Sequence, residues 1–192
     1  MSSQDEQIEQ RKANLRAIEA LGIPSYPNRF ARRDTVSALV AAHTAKSHDA
    51  LEAERPETVT SGRIVAMRSF GKANFLVLSD GRSRLQVYIR QDSMPALDFD
   101  IFKRLDFGDW VGVEGRLFRT KTNELTIWAV RLHFLVKCLL PLPEKFHGLT
   151  DVEVRYRQRY LDLAVNPESR RVFETRSKVV STIREFMTAR DY

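Results

Sequence analysis

A single cysteine, Cys138, stands in 192 residues, so no internal disulfide can form and a reducing cytoplasm is the natural expectation. Within Leu135-Val-Lys-Cys-Leu-Leu140 that thiol is expected to fill a small buried apolar gap, not to act as a nucleophile. Long hydrophobic runs are missing as well. No stretch approaches the about 18 apolar residues of a membrane-spanning helix, and the polar, acidic start Met1-Ser-Ser-Gln-Asp-Glu6 lacks the basic and apolar regions of a secretory leader. Neither membrane insertion nor secretion is expected. Catalytic signatures are also wanting. There is no GxxxxGK[ST] phosphate loop and no Ser-His-Asp arrangement, and His43, His48, His133 and His147 have no metal-ligand spacing with Cys138 or an acidic cluster. No catalytic, metal or cofactor site is expected in these residues.

What is present is ordinary globular usage, 43% hydrophobic and 29% charged, enough for one well-buried domain with appendages. Lys and Arg number 31 against 25 Asp and Glu, and the resulting +6 charge favours a polyanionic partner without naming one. Ser3 to Leu21 holds strong helix formers with Ile8, Leu15 and Ile18 on a narrow stripe, stopped by Gly22-Ile-Pro24. Asp34 is a candidate cap for a short helix through Ala42, and Ala45 to Pro56 reads as a linker.

From Thr58 to Leu140 the apolar period changes to that of strands, predicted at 59–69, 74–79, 84–90, 109–119 and 124–137. Gly71-Lys72 and Asp80-Gly81 make the first three a meander, Met94 to Leu105 has room for a short helix, and Lys121-Thr-Asn123 closes the last hairpin. Five strands with a helix after the third is the order of an OB-fold barrel, whose outer face and loops bind oligonucleotides or oligosaccharides; an SH3-like barrel is the alternative. Gly112 and Gly115 suit the bends and bulges of a small barrel.

On that barrel Phe75 is either a core ring or a platform for an unpaired base. Gln86, set between the apolar residues Leu85 and Val87, points to the opposite face, where its amide is either solvated or reads a base edge. Glu124 is a turn carboxylate or a hydrogen-bond acceptor for a base, and Arg68 and Lys72 add positive charge nearby. Further on, Arg155, Arg157 and Arg159 alternate with Tyr156 and Tyr160, an RNA contact or, preferably, an interdomain ion-pair network. Glu168 to Arg190 is strongly helical, and its apolar stripe from Val172 to Met187 needs a covering surface.

Pro143-Glu-Lys-Phe-His-Gly-Leu-Thr-Asp-Val-Glu-Val-Arg-Tyr-Arg-Gln-Arg-Tyr-Leu-Asp-Leu163 resembles the linker between the anticodon-binding and catalytic domains of bacterial class II lysyl-tRNA synthetases. Met67 to Phe75, Leu85-Gln-Val-Tyr88 and Phe118 to Thr126 are similar to strands and loops of that family's barrel, and Arg170 to Met187 to its motif 1 helix, which packs at a dimer interface. The resemblance implies a mainly β chain with flanking helices: an N-terminal helical extension and linker (1–57), an OB-fold anticodon-binding domain (58–140), an interdomain linker (141–167) and the start of a truncated class II α+β catalytic domain (168–192). It implies that Phe75 stacks on the central anticodon uridine, that Gln86 and Glu124 select that base, and that Arg68 adds charge. It further implies ATP- and Mg²⁺-dependent attachment of lysine to tRNA by a full-length cytoplasmic homodimer. Motifs 2 and 3 are missing from these residues, so no ligase activity is expected of them alone. An aspartyl- or asparaginyl-tRNA synthetase fragment and a freestanding OB-fold RNA- or single-stranded-DNA-binding protein are the alternatives.

Overall fold

The computed structural model describes residues 3–71, 73–142, 149 and 151–192, so Lys72 and most of the segment from Pro143 to Thr150 lie outside the described residues. The chain forms two compact units, Met1–Pro141 and Leu142–Tyr192.

In the first unit, a period-two burial pattern, regular in the second and third strands, accompanies five strands: β1 (Glu57–Phe70), β2 (Ala73–Ser79), β3 (Arg84–Arg90), β4 (Trp110–Arg119) and β5 (Leu125–Val136). They close into a barrel in the order β1-β2-β3-β5-β4, the OB-fold. All pairs are antiparallel except β3–β5, which is parallel and brings Gln86 opposite Thr126, Val87 opposite Ile127 and Tyr88 opposite Trp128. Ile64, Leu76, Val87, Ile89, Val113 and Ile127 point inward and are fully buried. Between β3 and β4, the helix α4 (Ala96–Phe102) sends Ile101 and Phe102 into the same core. Buried Asp98 fastens it to β5 by accepting from Leu132 N–H at 2.9 Å and Arg131 Nε at 2.8 Å.

Gly115 sits where the β4–β5 register shifts, and a Cβ there would lie 2.1 Å from the Trp128 carbonyl oxygen. Gly115→Ala should therefore push the two strands apart, lowering stability by about 1–3 kcal/mol in urea titration, as overpacking does. Gly112 serves a different need: its missing side chain leaves room for the ring of Phe30, which lies 5.3 Å from that of His133.

Helix α1 (Ser3–Glu19) lies against the barrel through Ile18, fully buried, and Arg11, whose guanidinium donates to the Phe107 carbonyl at 2.9 Å and the Cys138 carbonyl at 2.6 Å. Beneath it, Lys137 pairs with Asp109 at 2.7 Å and Asp106 at 2.6 Å. Cys138 itself is only half-buried, its Sγ donating to Leu140 O at 3.2 Å, so it does not fill the closed gap expected of it.

Two expectations for the helical extension are corrected. Helix α2 (Val36–His43) is capped by Thr35, which accepts from Ala38 N–H at 3.0 Å. Asp34 instead forms a bridge beside Thr60 and accepts from Thr58 Oγ1 at 2.9 Å, because β1 offers it a hydroxyl and a backbone partner. Within the expected linker stands α3 (His48–Glu54), capped by Ser47 and anchored by fully buried Leu51, with Glu52 gripping Arg116 at 3.0 and 3.1 Å. Seven residues give no periodic signal, so only the cap and one leucine betray it.

Asp80 does two jobs at once. Its Oδ1 accepts from Arg82 and Ser83 N–H and forms the β2–β3 turn, while its Oδ2 accepts from the backbone N–H and hydroxyl of Ser37, both at 2.7 Å, in the first turn of α2. Burial raises its pKa, but hydrogen bonds from Ser83, Ser37 and Arg82 outweigh that and hold it down from 3.8 to about 2. A depressed carboxylate stabilises the fold above its unfolded pKa and ceases to as pH falls through its folded one. Wild type should therefore exceed Asp80→Asn in urea midpoint near neutrality, with the difference shrinking between pH about 4 and about 2.

The second unit contains α5 (Val152–Arg157), α6 (Arg159–Val165) and α7 (Pro167–Thr188). Its hub is the fully buried Asp162, which accepts from Arg155 Nε at 2.8 Å, Asn166 Nδ2 at 2.6 Å, Ser169 Oγ at 3.1 Å and Arg159. Burial raises its pKa, yet donors led by Asn166 and Arg155 keep it well below the usual carboxylate range. Arg157 pairs with Glu153 at 2.7 Å. Among the described residues, Arg155, Arg157 and Arg159 of the basic-aromatic run each form an ion pair inside this unit. On α7 the stripe Val172, Val179, Ile183 and Phe186 is at least half exposed. Among the described residues, no helix is long and apolar enough to cross a membrane.

Candidate nucleic-acid interface

The outer face of β1, β2, β3 and β5 carries two rows of side chains set by the strand register. Arg68, Phe75, Tyr88 and Trp128 face one another across successive strands, and Ala66, Val77, Gln86 and Thr126 form the next row. Period-two alternation produces this arrangement: Leu76, Leu85, Val87 and Ile89 turn inward, so Phe75, Gln86 and Tyr88 turn outward. Phe75 is half-buried on this face and is not a core ring.

The rings form a connected aromatic floor. Phase by phase across the strands, Phe75 lies 5.1 Å from Tyr88, Tyr88 5.1 Å from Trp128 in an edge-on contact, and Trp128 5.6 Å from Phe118. Phe70, 66% exposed, stands 6.3 Å from Phe75, and the Arg116 guanidinium caps Trp128 at 5.5 Å. Over this floor opens a cavity of about 510 Å³, walled by Arg68, Phe75, Gln86 and Tyr88 and by the hairpin residues Thr120, Lys121 and Thr122. A second hollow of about 320 Å³ brings together all four residues singled out in the sequence, Arg68, Phe75, Gln86 and Glu124, with Thr122. Arg68, Phe75, Gln86 and Thr122 line both.

Hydrogen bonds fix the polar edge. Thr126 gives its hydroxyl proton to the Glu124 carbonyl at 3.1 Å and therefore accepts from Gln86 Nε2 at 3.0 Å. That pins the orientation of the Gln86 amide and leaves its carbonyl oxygen and second N–H for a ligand. Glu124 is exposed beside it, an acceptor-only carboxylate at the end of a turn closed by Thr120 N–H to Glu124 O at 3.0 Å and Asn123 N–H to Thr120 O at 2.9 Å. The surface offers flat apolar area, one fixed amide, one carboxylate and flanking cations, groups able to stack on a planar ring and to hydrogen-bond its edge.

Sequence reading missed Tyr88, Phe118, Trp128 and Thr126. Tyr88 shares the parity of Gln86 and was within reach of the same alternation. Phe118 and Trp128 join only because β5 pairs with β3 in parallel and with β4 in antiparallel fashion, which no local pattern reveals.

Comparison with known proteins agrees with the barrel fold. Residues 58–135 match the family model of the OB-fold nucleic acid binding domain, and residues 151–192 match that of class II tRNA synthetases (D, K and N). A lysine–tRNA ligase from Thiobacillus denitrificans is 48% identical over 185 residues, 96% of this chain and 37% of that protein. Proteins of the same name from Methanoculleus marisnigri and Enterobacter sp. (strain 638) are each 45% identical, over 93% and 97% of this chain and 35% and 37% of their own lengths. The chain thus spans little more than a third of these relatives.

Proposed function

We propose that this chain is the anticodon-binding barrel and part of the synthetase domain of a class II lysine–tRNA ligase, and that it binds tRNA by holding the central anticodon uridine on Phe75. The observation that carries this reading is the shared hollow in which Phe75, Gln86, Glu124 and Arg68 converge. Uracil presents a ring N–H flanked by two carbonyls. The Glu124 carboxylate, which only accepts, takes that N–H, while the free N–H of Gln86 donates to a neighbouring carbonyl. Cytosine turns a lone pair toward the carboxylate instead and is rejected by an unpaired, partly desolvated charge. Arg68 and Lys121 supply attraction to phosphate, which raises affinity without reading sequence.

For the whole protein we propose ATP- and Mg²⁺-dependent attachment of lysine to tRNA, in a cytoplasmic homodimer whose interface covers the α7 stripe. Among the described residues no group of three or more His, Cys, Asp or Glu side chains is placed to hold a metal ion. The deciding experiment titrates the chain with a lysine-tRNA anticodon stem-loop and with its central-cytidine variant at two salt concentrations. A uridine preference that survives added salt is expected. Equal, salt-sensitive binding would reduce the surface to a general RNA- or single-stranded-DNA-binding barrel.

A further inference from the structure

We propose that Arg119 is a positioning residue for base discrimination, clamping the β4–β5 hairpin to the helical extension so that Glu124 presents its carboxylate to the base at a fixed place. Arg119 touches no part of the proposed base site. It is the last residue of β4, immediately before the hairpin, and its guanidinium is spread over three backbone carbonyls. Nε donates to Lys46 O at 2.8 Å, one terminal nitrogen to Asn123 O at 2.6 Å, and the other to Thr44 O. Thr44 and Lys46 belong to the connection between α2 and α3, and Asn123, in the left-handed region at φ 63°, is the corner of the turn that ends at Glu124. The three carbonyls are reached from three separate nitrogens of one planar fork; an ammonium gathers its three donors on a single nitrogen and does not reproduce that spread.

The clamp continues into the reading edge without a break. Asn123 is held by Arg119, Glu124 follows it directly, the Glu124 carbonyl accepts from Thr126, and Thr126 accepts from Gln86. The hairpin also forms a wall of both hollows through Thr122. Without Arg119 the turn loses its tie to the helical extension and keeps only its internal hydrogen bonds and the one from Thr126, and a misplaced carboxylate no longer tells a ring N–H from a lone pair. The helical extension, remote in sequence from the barrel face, thereby takes part in specificity.

The discriminating role rests on the reading of Gln86 and Glu124 as base contacts; the clamp itself does not. In the 192-residue chain, Arg119→Lys and Arg119→Ala are compared with the parent by amide hydrogen exchange and by binding to the uridine and cytidine stem-loops. Exchange at the Asn123 and Glu124 amides should accelerate about tenfold in both variants, as loss of tertiary hydrogen bonding predicts, and uridine preference should fall by about the same factor. In a Glu124→Ala background, Arg119→Lys should change the preference no further. Unchanged exchange would overturn the clamp whatever the RNA result. Accelerated exchange with preference retained, or lost equally in the Glu124→Ala background, would overturn the role in discrimination. A parent chain that shows no uridine preference would refute the base contacts, while exchange would still decide the clamp.

Discussion

Phe75→Ala should weaken binding to the uridine stem-loop by about 1–3 kcal/mol, or about 5- to 150-fold in Kd, the range for removing a stacking platform. The loss should be nearly independent of salt, because a stacked ring releases no counterions. Arg68→Ala gives the contrast: a smaller loss, concentrated at low salt, with a flatter dependence of affinity on ionic strength. Phe75→Trp, which keeps a flat ring of larger area over Tyr88, should retain most of the affinity. Isothermal titration of the three variants at two salt concentrations separates these outcomes. An Ala variant that binds as tightly as the parent would remove Phe75 from the site.

Asp109→Ala is expected to be the most destabilising single change in the barrel. Asp109 is wholly buried, and its carboxylate receives Lys137 Nζ at 2.7 Å, Asp106 N–H at 2.7 Å and Cys138 N–H at 2.8 Å. Removing it strands the Lys137 ammonium, itself 2% exposed, with Asp106 and the Arg104 carbonyl as remaining partners. Breaking such a pair from one side costs about 3–5 kcal/mol, a large part of the about 5–15 kcal/mol that holds a domain together. Lys137→Met should cost less, because Asp109 keeps two backbone donors and the methionine fills the stem's volume. Urea denaturation of both variants tests the order, and a smaller shift for Asp109→Ala than for Lys137→Met would refute it.

The barrel was legible because its strands obey a period of two for long stretches and its turns use residues suited to them. Asp80-Gly81 is such a turn, with Gly81 at φ 92°. What local pattern cannot report is which far-off group claims a side chain. Asp34 has the chemistry of a helix cap, yet Thr58 and the β1 backbone take it. Gly112 has the look of a bend, but its vacancy belongs to Phe30, more than eighty residues earlier in the chain. At the proposed base site Phe75, Gln86, Glu124 and Arg68 stand out through family likeness; alternation alone leaves each between surface and function. Tyr88, Phe118 and Trp128, the rest of the floor, depend on strand neighbours that are set only when the barrel closes.

That closure rests on the parallel β3–β5 ladder of three residue pairs, and the aromatic floor lies directly across it. Gln86 and Tyr88 stand on one side of the seam, with Thr126 and Trp128 on the other, forty residues on. Loop-closure entropy makes so distant a pairing among the last and slowest to form. A ligand that bridges the seam must then act as a staple, and at a hundred times its Kd it would add about 2.7 kcal/mol to the closed state. Phe75 and Tyr88 can meet as soon as β2 and β3 pair, but the floor reaches Trp128 only once β5 has docked.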